Sequence, residues 1–350
     1  MKILMLFAFV AVAIASMAQD DFSRKDSLMG YLYPERQYDV HYYELDVEVN
    51  PLDSTVSGSV KMAFTAEAEL QVLQFDLFEN MTALSVVYQN KPLEFNREYN
   101  AVFVEMPEPL EKGETAELNI RYRGKPVAAK NAPWDGGFVW QKDRDGNDWI
   151  GVAVQGDGAA LFWPNKDHIT DEPDSMLIHC KVPNELTCVV NGKLIATDFI
   201  YDTASTGEPT VIDEWSKWSW KVSNPINNYN VSLNIANYTH ISDHYISKID
   251  GDTLPLDYYV LPHNEQKARE QFKEVKTRLD CFVPMVGEEG GFCFIPAQGD
   301  GRAPVQQLFA QGSEVFADRL GHQVVAKGYL RGGVGGCGEQ AALESVFEGG

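Results

Sequence analysis

The sequence predicts a chain dominated by β-structure, in which an antiparallel β-sandwich forms the main unit. From residue 38 to about residue 122, apolar and polar residues alternate with the two-residue period of a strand that has one buried face. Turn-forming residues interrupt this alternation, as at Asn50-Pro51 and around Gly113. Short alternating segments at regular intervals favour an antiparallel sandwich or barrel over repeated strand-helix-strand units.

An apolar segment opens the chain. Met1-Lys2 is followed by an apolar run that ends near Ala15 and by the small-residue pattern Ser16-Met17-Ala18. This is the pattern of a secretory signal peptide over residues 1–18, so we expect cleavage after Ala18 and export to the periplasm or the exterior. The run is shorter than the roughly 20 apolar residues of a helical span, and no transmembrane segment is expected.

The charge balance excludes one class of partner. The chain has 29 basic and 51 acidic residues and a net charge of −22. Because this charge repels a polyphosphate, no nucleic-acid partner is expected.

The strands of the main unit are predicted in order along the chain. The first three strands have apolar faces made of Tyr43, Leu45, Val47 and Val49, then Val56, Val60, Met62 and Phe64, then Leu73, Phe75 and Leu77. Further strands are predicted at 176–182, 187–190, 217–222 and 230–236. Together these segments predict one β domain over residues 28–255.

A different pattern begins near Pro262. A strand-like segment at 256–260 precedes Asn264, a suitable helix N-cap, and apolar residues then recur at three- and four-residue steps. We expect an amphipathic helix over about 265–283. Residues 289–350 are rich in glycine, which raises the entropic cost of regular structure, so poor order is expected there.

The chain has five cysteines, so at most two pairs can form. Cys180 and Cys188 flank a short turn and are suited to a disulfide across adjacent strands. Two small buried hydrophobic residues in a sheet would account for them equally well.

Three segments carry a family resemblance. They are the run 136–175, which contains Val154-Gln155-Gly156-Asp157-Gly158 and Leu161-Phe162-Trp163-Pro164, the Trp218-Ser219-Trp220 strand, and Leu256 to Pro262. These segments resemble the N-terminal β domain of the aminopeptidase N family of zinc metallopeptidases. The resemblance covers about residues 35–288 and implies a saddle-like β domain, followed at 256–288 by the first elements of a thermolysin-like catalytic domain.

The resemblance implies a zinc cofactor and peptide substrates in intact relatives. Their zinc is held by a His-Glu-x-x-His helix and a distant Glu, where it polarises the scissile carbonyl and activates a water. None of the seven histidines here is followed by Glu. We therefore assign no catalytic or metal-binding residue, expect no zinc bound to this chain and expect no activity from it alone. The resemblance ends abruptly near residue 288, and truncation or a frameshift is expected there.

Gln155 is the one site residue that the resemblance implies. In the family a glutamine at this place reaches from the β domain toward the substrate's N-terminal residue. Its neighbour Gly156 would let the backbone approach a ligand closely. The alternative is a glutamine that satisfies backbone groups in a glycine-rich turn.

Other groups of polar residues are better explained structurally. The acidic residues near His168 (Asp167, Asp171, Glu172 and Asp174) are typical of a solvated loop. His240 and His244 have a zinc-like spacing but lie in a β-prone segment, and rings four residues apart on a strand cannot share a metal. The run 143–148 imitates a calcium loop, yet Val154 stands where the twelfth-position Glu should be, so a hairpin turn is favoured.

A second functional hypothesis is a non-catalytic, secreted β-sandwich that binds peptide or glycan. Exposed aromatic residues converging on one face would favour this binding module. Aromatic residues buried between sheets would favour the β domain of a peptidase.

Overall fold

The computed structural model describes residues 23–29, 33–131, 135–154, 157–203, 211–248, 251, 253–286, 292–296 and 306–310. The strands are β1 (Tyr38–Asn50), β2 (Thr55–Ala66), β3 (Leu70–Asp76), β4 (Met81–Tyr88), β5 (Lys91–Leu93), β6 (Phe95–Glu98), β7 (Ala101–Leu110), β8 (Thr115–Gly124), β9 (Gly137–Lys142), β10 (Asp148–Ala153), β11 (Ser175–Pro183), β12 (Thr187–Val189), β13 (Lys193–Thr203), β14 (Val211–Val222), β15 (Asn234–Ala236), β16 (Thr239–Ile246), β17 (Thr253–Val260), β18 (Phe292–Pro296) and β19 (Gln306–Ala310). The helices are α1 (Arg24–Leu28), α2 (Glu265–Gln271) and α3 (Lys273–Val286). Single 3₁₀ turns lie at Pro34–Arg36, Ala159–Leu161, Asn228–Asn230 and Pro262–Asn264. The predicted signal peptide lies outside the described residues.

The largest sheet has eight strands in the order β13-β14-β11-β1-β2-β8-β4-β5. Its neighbouring strands are antiparallel except β1 and β11, which run parallel with Leu45 opposite Ile178. A parallel pair requires a long crossover connection, and here the chain between β1 and β11 supplies it. That segment builds the sheet β3-β7-β6 and two of the four strands, β9 and β10, of the sheet β12-β15-β10-β9.

One core lies between these sheets and confirms the predicted alternation. The apolar residues predicted for the first three strands (Tyr43, Leu45, Val47, Val49, Val56, Val60, Met62, Phe64, Leu73, Phe75 and Leu77) are all buried in it. The polar residues that alternate with them on β1 lie on the outer face of the sheet. There, for example, Glu48 Oε2 forms an ion pair with Lys181 Nζ of β11 at 2.8 Å. The two-residue period therefore placed the apolar residues of these strands correctly.

The strands predicted after residue 170 are confirmed with shifted ends. The expected strand at 230–236 is reduced to β15, and the 3₁₀ turn Asn228–Asn230 lies just before it. Cys180 and Cys188 form a disulfide with their Cα atoms 6.3 Å apart. Both cysteines are also buried, and the bond joins β11 of the large sheet to β12 of the four-stranded sheet.

A second, smaller core lies at the carboxyl end of the described chain. The hairpin of β16 and β17 packs against α2 and α3 through Ile241, Tyr245, Leu256, Tyr258, Val260, Ala268, Val275 and Leu279. The single helix expected over 265–283 is divided at Phe272, whose ring stacks on Tyr258 at 4.4 Å. Asn264 stands at the predicted N-cap but forms no side-chain capping hydrogen bond.

Two short strands lie within residues 289–350, where poor order was expected. β18 pairs in parallel with β17, and β19 pairs with β18, so the hairpin is extended to a four-stranded sheet. The rest of this segment lies outside the described residues. Among the described helices, none is long and apolar enough to cross a membrane.

Candidate functional site

The run 136–175 contains the β9–β10 hairpin and the 3₁₀ turn Ala159–Leu161, and it ends at the start of β11. Gln155 and Gly156 lie outside the described residues, so the role assigned to Gln155 stays a prediction. The described residues on either side show how the turn is built. The amide of Gly158 donates to the carbonyl oxygen of Val154 at 2.8 Å. The carboxylate of Asp157 accepts a hydrogen bond from the amide of Gly136 at 2.6 Å.

Glycine is required at position 158 for two reasons. Gly158 has a φ of +93°, which L side chains rarely adopt. A Cβ atom there would also collide with the carboxylate of Asp167. The carboxylate therefore packs directly on the backbone of the turn.

Asp167 holds the 3₁₀ turn that follows. Its Oδ2 atom accepts a hydrogen bond from the amide of Ala160 at 2.9 Å. Burial raises the pKa of the Asp167 carboxyl to about 6, and the hydrogen bonds from Ala160 and Ala159 only partly oppose this shift.

A buried ion pair lies beneath Asp167. Arg36 Nη1 lies 2.7 and 2.6 Å from the two carboxylate oxygens of Asp76, and both side chains are 0% exposed. Asp76 also accepts hydrogen bonds from Gln74 Nε2 at 3.0 Å and from the amide of Asp167 at 2.9 Å. Three donor groups thus make four contacts to a charge that would be costly to bury alone.

Sequence reasoning missed this pair. Gln74 and Asp76 alternate with the apolar residues of β3. This alternation predicts that both side chains face solvent. The structure buries both residues, because β3 is covered on both faces over its second half. The only sign of this burial in the sequence is that Gln74 and Asp76 lie within an otherwise apolar run.

The acidic residues near His168 divide into two groups. Asp171 is buried and lies 2.7 Å from Lys166 Nζ, and Lys166 also donates to the carbonyl oxygen of Tyr38. Glu172 and Asp174 are exposed. His168 Nδ1 lies 2.7 Å from the Thr170 hydroxyl. Asp171 therefore forms an internal ion pair. Glu172 and Asp174 belong to a solvated loop, as the sequence predicts.

The calcium-like run 143–148 is a hairpin turn, as predicted. Asp143 accepts hydrogen bonds from the amides of Asp145 and Asn147, both at 2.9 Å. Burial acts to raise the pKa of Asp143. The two amide hydrogen bonds and a third from the Asn147 side chain outweigh it, so the pKa of Asp143 is lowered. The ligand-type atoms of Asp143, Asp145 and His263 lie within 4.8 Å of one another, and His263 Nδ1 contacts Asp145 Oδ2 at 3.1 Å.

His240 and His244 lie on β16, which confirms the predicted strand. His240 Nε2 lies 2.7 Å from Asp257 Oδ1, and its ring stacks on Tyr259 at 4.6 Å. His244 lies beside Asp243 instead. The two histidines have separate partners and do not form a chelating pair.

Asp167 gives a testable pH dependence of stability. Between about pH 4, where an unfolded aspartate titrates, and about pH 6, the folded chain binds more protons at Asp167 than the unfolded chain does. The free energy of unfolding should therefore fall as pH rises through this window, by about 2–3 kcal/mol from this group. In urea unfolding, the free energy of unfolding of Asp167→Asn should lack this part of the decrease between about pH 4 and pH 6.

Asp143→Asn is the matched control for that experiment. The pKa of the Asp143 carboxyl is lowered, so this group titrates below pH 4. The free energy of unfolding of Asp143→Asn should therefore still fall between about pH 4 and pH 6. Identical pH dependences in the parent and in Asp167→Asn would contradict the assignment.

No protein-family model and no curated protein matches this chain. Several solved structures have the same fold. An M1 zinc metallopeptidase from Deinococcus radiodurans is 18% identical with a TM-score of 0.57, over 76% of this chain and 57% of that chain. A variant of a two-domain M1 zinc metallopeptidase bound to L-arginine gives the same identity, coverage and TM-score. A Deinococcus radiodurans variant bound to the substrate Tyr-Ser-Ala is 18% identical over 74% of this chain and 56% of that chain, with a TM-score of 0.56.

At this identity the likeness is one of fold. The chain is mostly β-structure and matches the N-terminal β domain of M1 metallopeptidases, as the sequence predicted. It spans 57% of the length of the first of these neighbours.

Proposed function

We propose that this chain is the exported, peptide-facing β domain of an aminopeptidase of the zinc metallopeptidase type, joined to the first elements of the catalytic domain. The observation that carries the proposal is the shared fold, at a TM-score of 0.57 over 76% of the chain. The turn after β10 supports it, because it is the segment in which the family resemblance places a substrate-binding glutamine.

Among the described residues, the two histidines of β16 do not form a catalytic zinc site. Such a site needs three protein ligands and an open position. His240 contacts Asp257, whereas His244 lies beside Asp243. The carboxylate of Asp143 accepts hydrogen bonds from the amides of its own turn. These residues are therefore assigned no step in a reaction. The function proposed for the chain is to bind the N-terminal residue of a peptide, with Gln155 as the contacting side chain.

The binding-module alternative has less support. Among the described residues, the large exposed apolar side chains include two aromatic ones, Tyr99 and Phe199. Tyr99 lies between β6 and β7, and Phe199 lies on the edge strand β13 of a different sheet. Many of the large aromatic side chains, such as Trp163 and Tyr43, are buried in the core. This arrangement favours the β domain of a peptidase.

The purified mature chain should contain no stoichiometric zinc and should not hydrolyse aminoacyl anilides, because its sequence contains no His-Glu-x-x-His motif. Metal analysis and a chromogenic assay with and without chelator measure this. One zinc per chain together with chelator-sensitive hydrolysis would overturn the expectation.

The same protein should bind the tripeptide Tyr-Ser-Ala weakly, as measured by ligand-observed NMR. Gln155→Ala should weaken this binding, whereas Gln141→Ala, an exposed glutamine on β9, should leave it unchanged. Equal binding by both variants would count against the proposed role of Gln155.

A further inference from the structure

We infer that Asp143, Asp145 and His263 bind one structural divalent cation of the Mn²⁺ type. This ion ties the β9–β10 hairpin to the turn that follows β17. The site lies outside the peptide-binding role proposed above, does not depend on it and takes no part in hydrolysis. One imidazole and two carboxylates form a mixed ligand set that suits Mn²⁺ and the other divalent ions of the first transition row.

The three side chains converge from two distant segments. Asp143 and Asp145 lie between β9 and β10, whereas His263 lies in the 3₁₀ turn Pro262–Asn264, 118 positions after Asp145. Their ligand-type atoms all lie within 4.8 Å of one another. Asp145 Oδ2 and His263 Nδ1 are 3.1 Å apart. Two neighbouring ligands that each lie about 2.1 Å from one ion have a similar separation of about 3 Å. Small side-chain adjustments therefore allow the three groups to share an ion.

The buried ring of His263 is the observation that points to a ligand. Its side chain is 3% exposed, and its Nε2 atom has no hydrogen-bond partner in the part of the chain that the structure describes. If Nδ1 carries the proton, the lone pair of Nε2 has no donor, and if Nε2 carries it, that N–H has no acceptor. A bound ion or water is the usual partner of such a buried atom. The two carboxylates beside the ring favour a cation.

Two of the three ligands are already held in place. Asp143 Oδ1 accepts from the amides of Asp145 and Asn147, both at 2.9 Å, and Asp143 Oδ2 accepts from Asn147 Nδ2 at 3.2 Å. A carboxylate offers about four lone-pair positions, so Asp143 Oδ2 keeps one for a cation. The ring of His263 is fixed by its burial. Asp145 is 47% exposed and can turn toward the ion, because its contact with Arg144 is long, at 3.8 Å. Ligands fixed before binding favour a site of defined geometry.

The ion joins elements of the two cores. The β9–β10 hairpin contributes Phe138 and Ile150 to the main core. His263 follows Val260, which lies in the second core, and Leu261, which lies in the main core. Because the unfolded chain lacks a preformed site, binding of the ion adds to the stability of the folded chain. One ligand is half exposed, so the ion exchanges with solvent and the purified chain is expected to have lost it.

The test adds Mn²⁺ alone to the full chain after treatment with a chelator. A salt concentration of about 0.15 M screens the net charge of −22, which attracts cations without a site. Electron paramagnetic resonance of the free ion should show one Mn²⁺ bound per chain, and Tm should rise. Bound Mn²⁺ is paramagnetic, so it should broaden the NMR signals of the His263 imidazole before those of the other six histidines.

Two variants remove ligands. His263→Gln and Asp145→Asn should each weaken Mn²⁺ binding at least about tenfold and abolish the rise in Tm. The matched controls are His240→Gln and Asp257→Asn, which alter another histidine–aspartate pair, whose atoms are 2.7 Å apart. Both controls should bind Mn²⁺ as the parent does.

The inference is wrong if the parent binds no Mn²⁺, or if His263→Gln and His240→Gln bind it equally well. His263 and Asp145 then form a hydrogen-bonded pair only. Several weakly bound ions without early broadening of His263 would also overturn it, since surface charge would then explain the binding. Should His263→Gln not fold, Asp145→Asn and the order of broadening in the parent decide. None of these measurements uses a peptide, so their failure leaves the proposed function standing.

Discussion

Replacing Arg36 with methionine is expected to lower the free energy of unfolding by about 3–5 kcal/mol, because it leaves the Asp76 carboxylate buried without its counter-charge. Arg36 supplies two of the four short contacts to that carboxylate, and both side chains are 0% exposed. The remaining donors, Gln74 and the amide of Asp167, are neutral. Urea denaturation followed by far-UV circular dichroism measures the loss.

The double variant Arg36→Met with Asp76→Leu is the control. Replacing a whole buried pair by apolar residues of similar volume is often neutral or stabilising, so this variant should regain most of the lost stability. If the double variant were as unstable as Arg36→Met, unpaired charge would not be the cause. The hydrogen bond from Arg36 to the carbonyl oxygen of Asp167 would then be the better explanation.

Trp163→Ala is the second change with a large expected effect, again about 3–5 kcal/mol. Trp163 is fully buried, with its ring edge-to-face with Tyr43 at 5.0 Å and with Phe162 at 6.4 Å. Its removal would leave a cavity at the point where the 3₁₀ turn Ala159–Leu161 meets the large sheet. Thermal and urea unfolding of the variant both report this loss.

Trp163→Phe separates the cavity from the lost indole N–H. The indole nitrogen of Trp163 has no hydrogen-bond partner among the described residues, so phenylalanine removes little besides volume. Its cost should be clearly smaller than that of alanine. Equal losses in the two variants would contradict the cavity explanation.

Much of the sandwich could be predicted because its signals are local. Each strand with one face in the core alternates with period two, and Tyr43, Val60 and Phe75 are buried as that period requires. The hairpin at 143–147 and the strand character of His240 and His244 were also predictable from a few neighbouring residues. The family resemblance in the run 136–175 predicted the fold of the neighbours that the structure matches.

The sequence could not predict features that depend on contacts between distant segments. The parallel pairing of β1 with β11 joins residues more than a hundred positions apart, such as Leu45 and Ile178, and either strand alone would suit several partners. The sequence likewise did not show that the helix divides at Phe272, whose ring stacks on Tyr258 from the neighbouring strand. The choice between a disulfide and two buried thiols at Cys180 and Cys188 depended on how β11 and β12 approach each other.

The amino-acid sequence by itself determined that this chain is dominated by a β-sandwich, and which apolar residues of its first strands face the core. Periodicity and turn chemistry act within a few residues, so they can be read along the chain. Only the tertiary structure decided that Arg36, Asp76 and Asp167 meet. A buried charge is tolerated when donors from separate segments surround it, and that convergence exists only after the chain has folded.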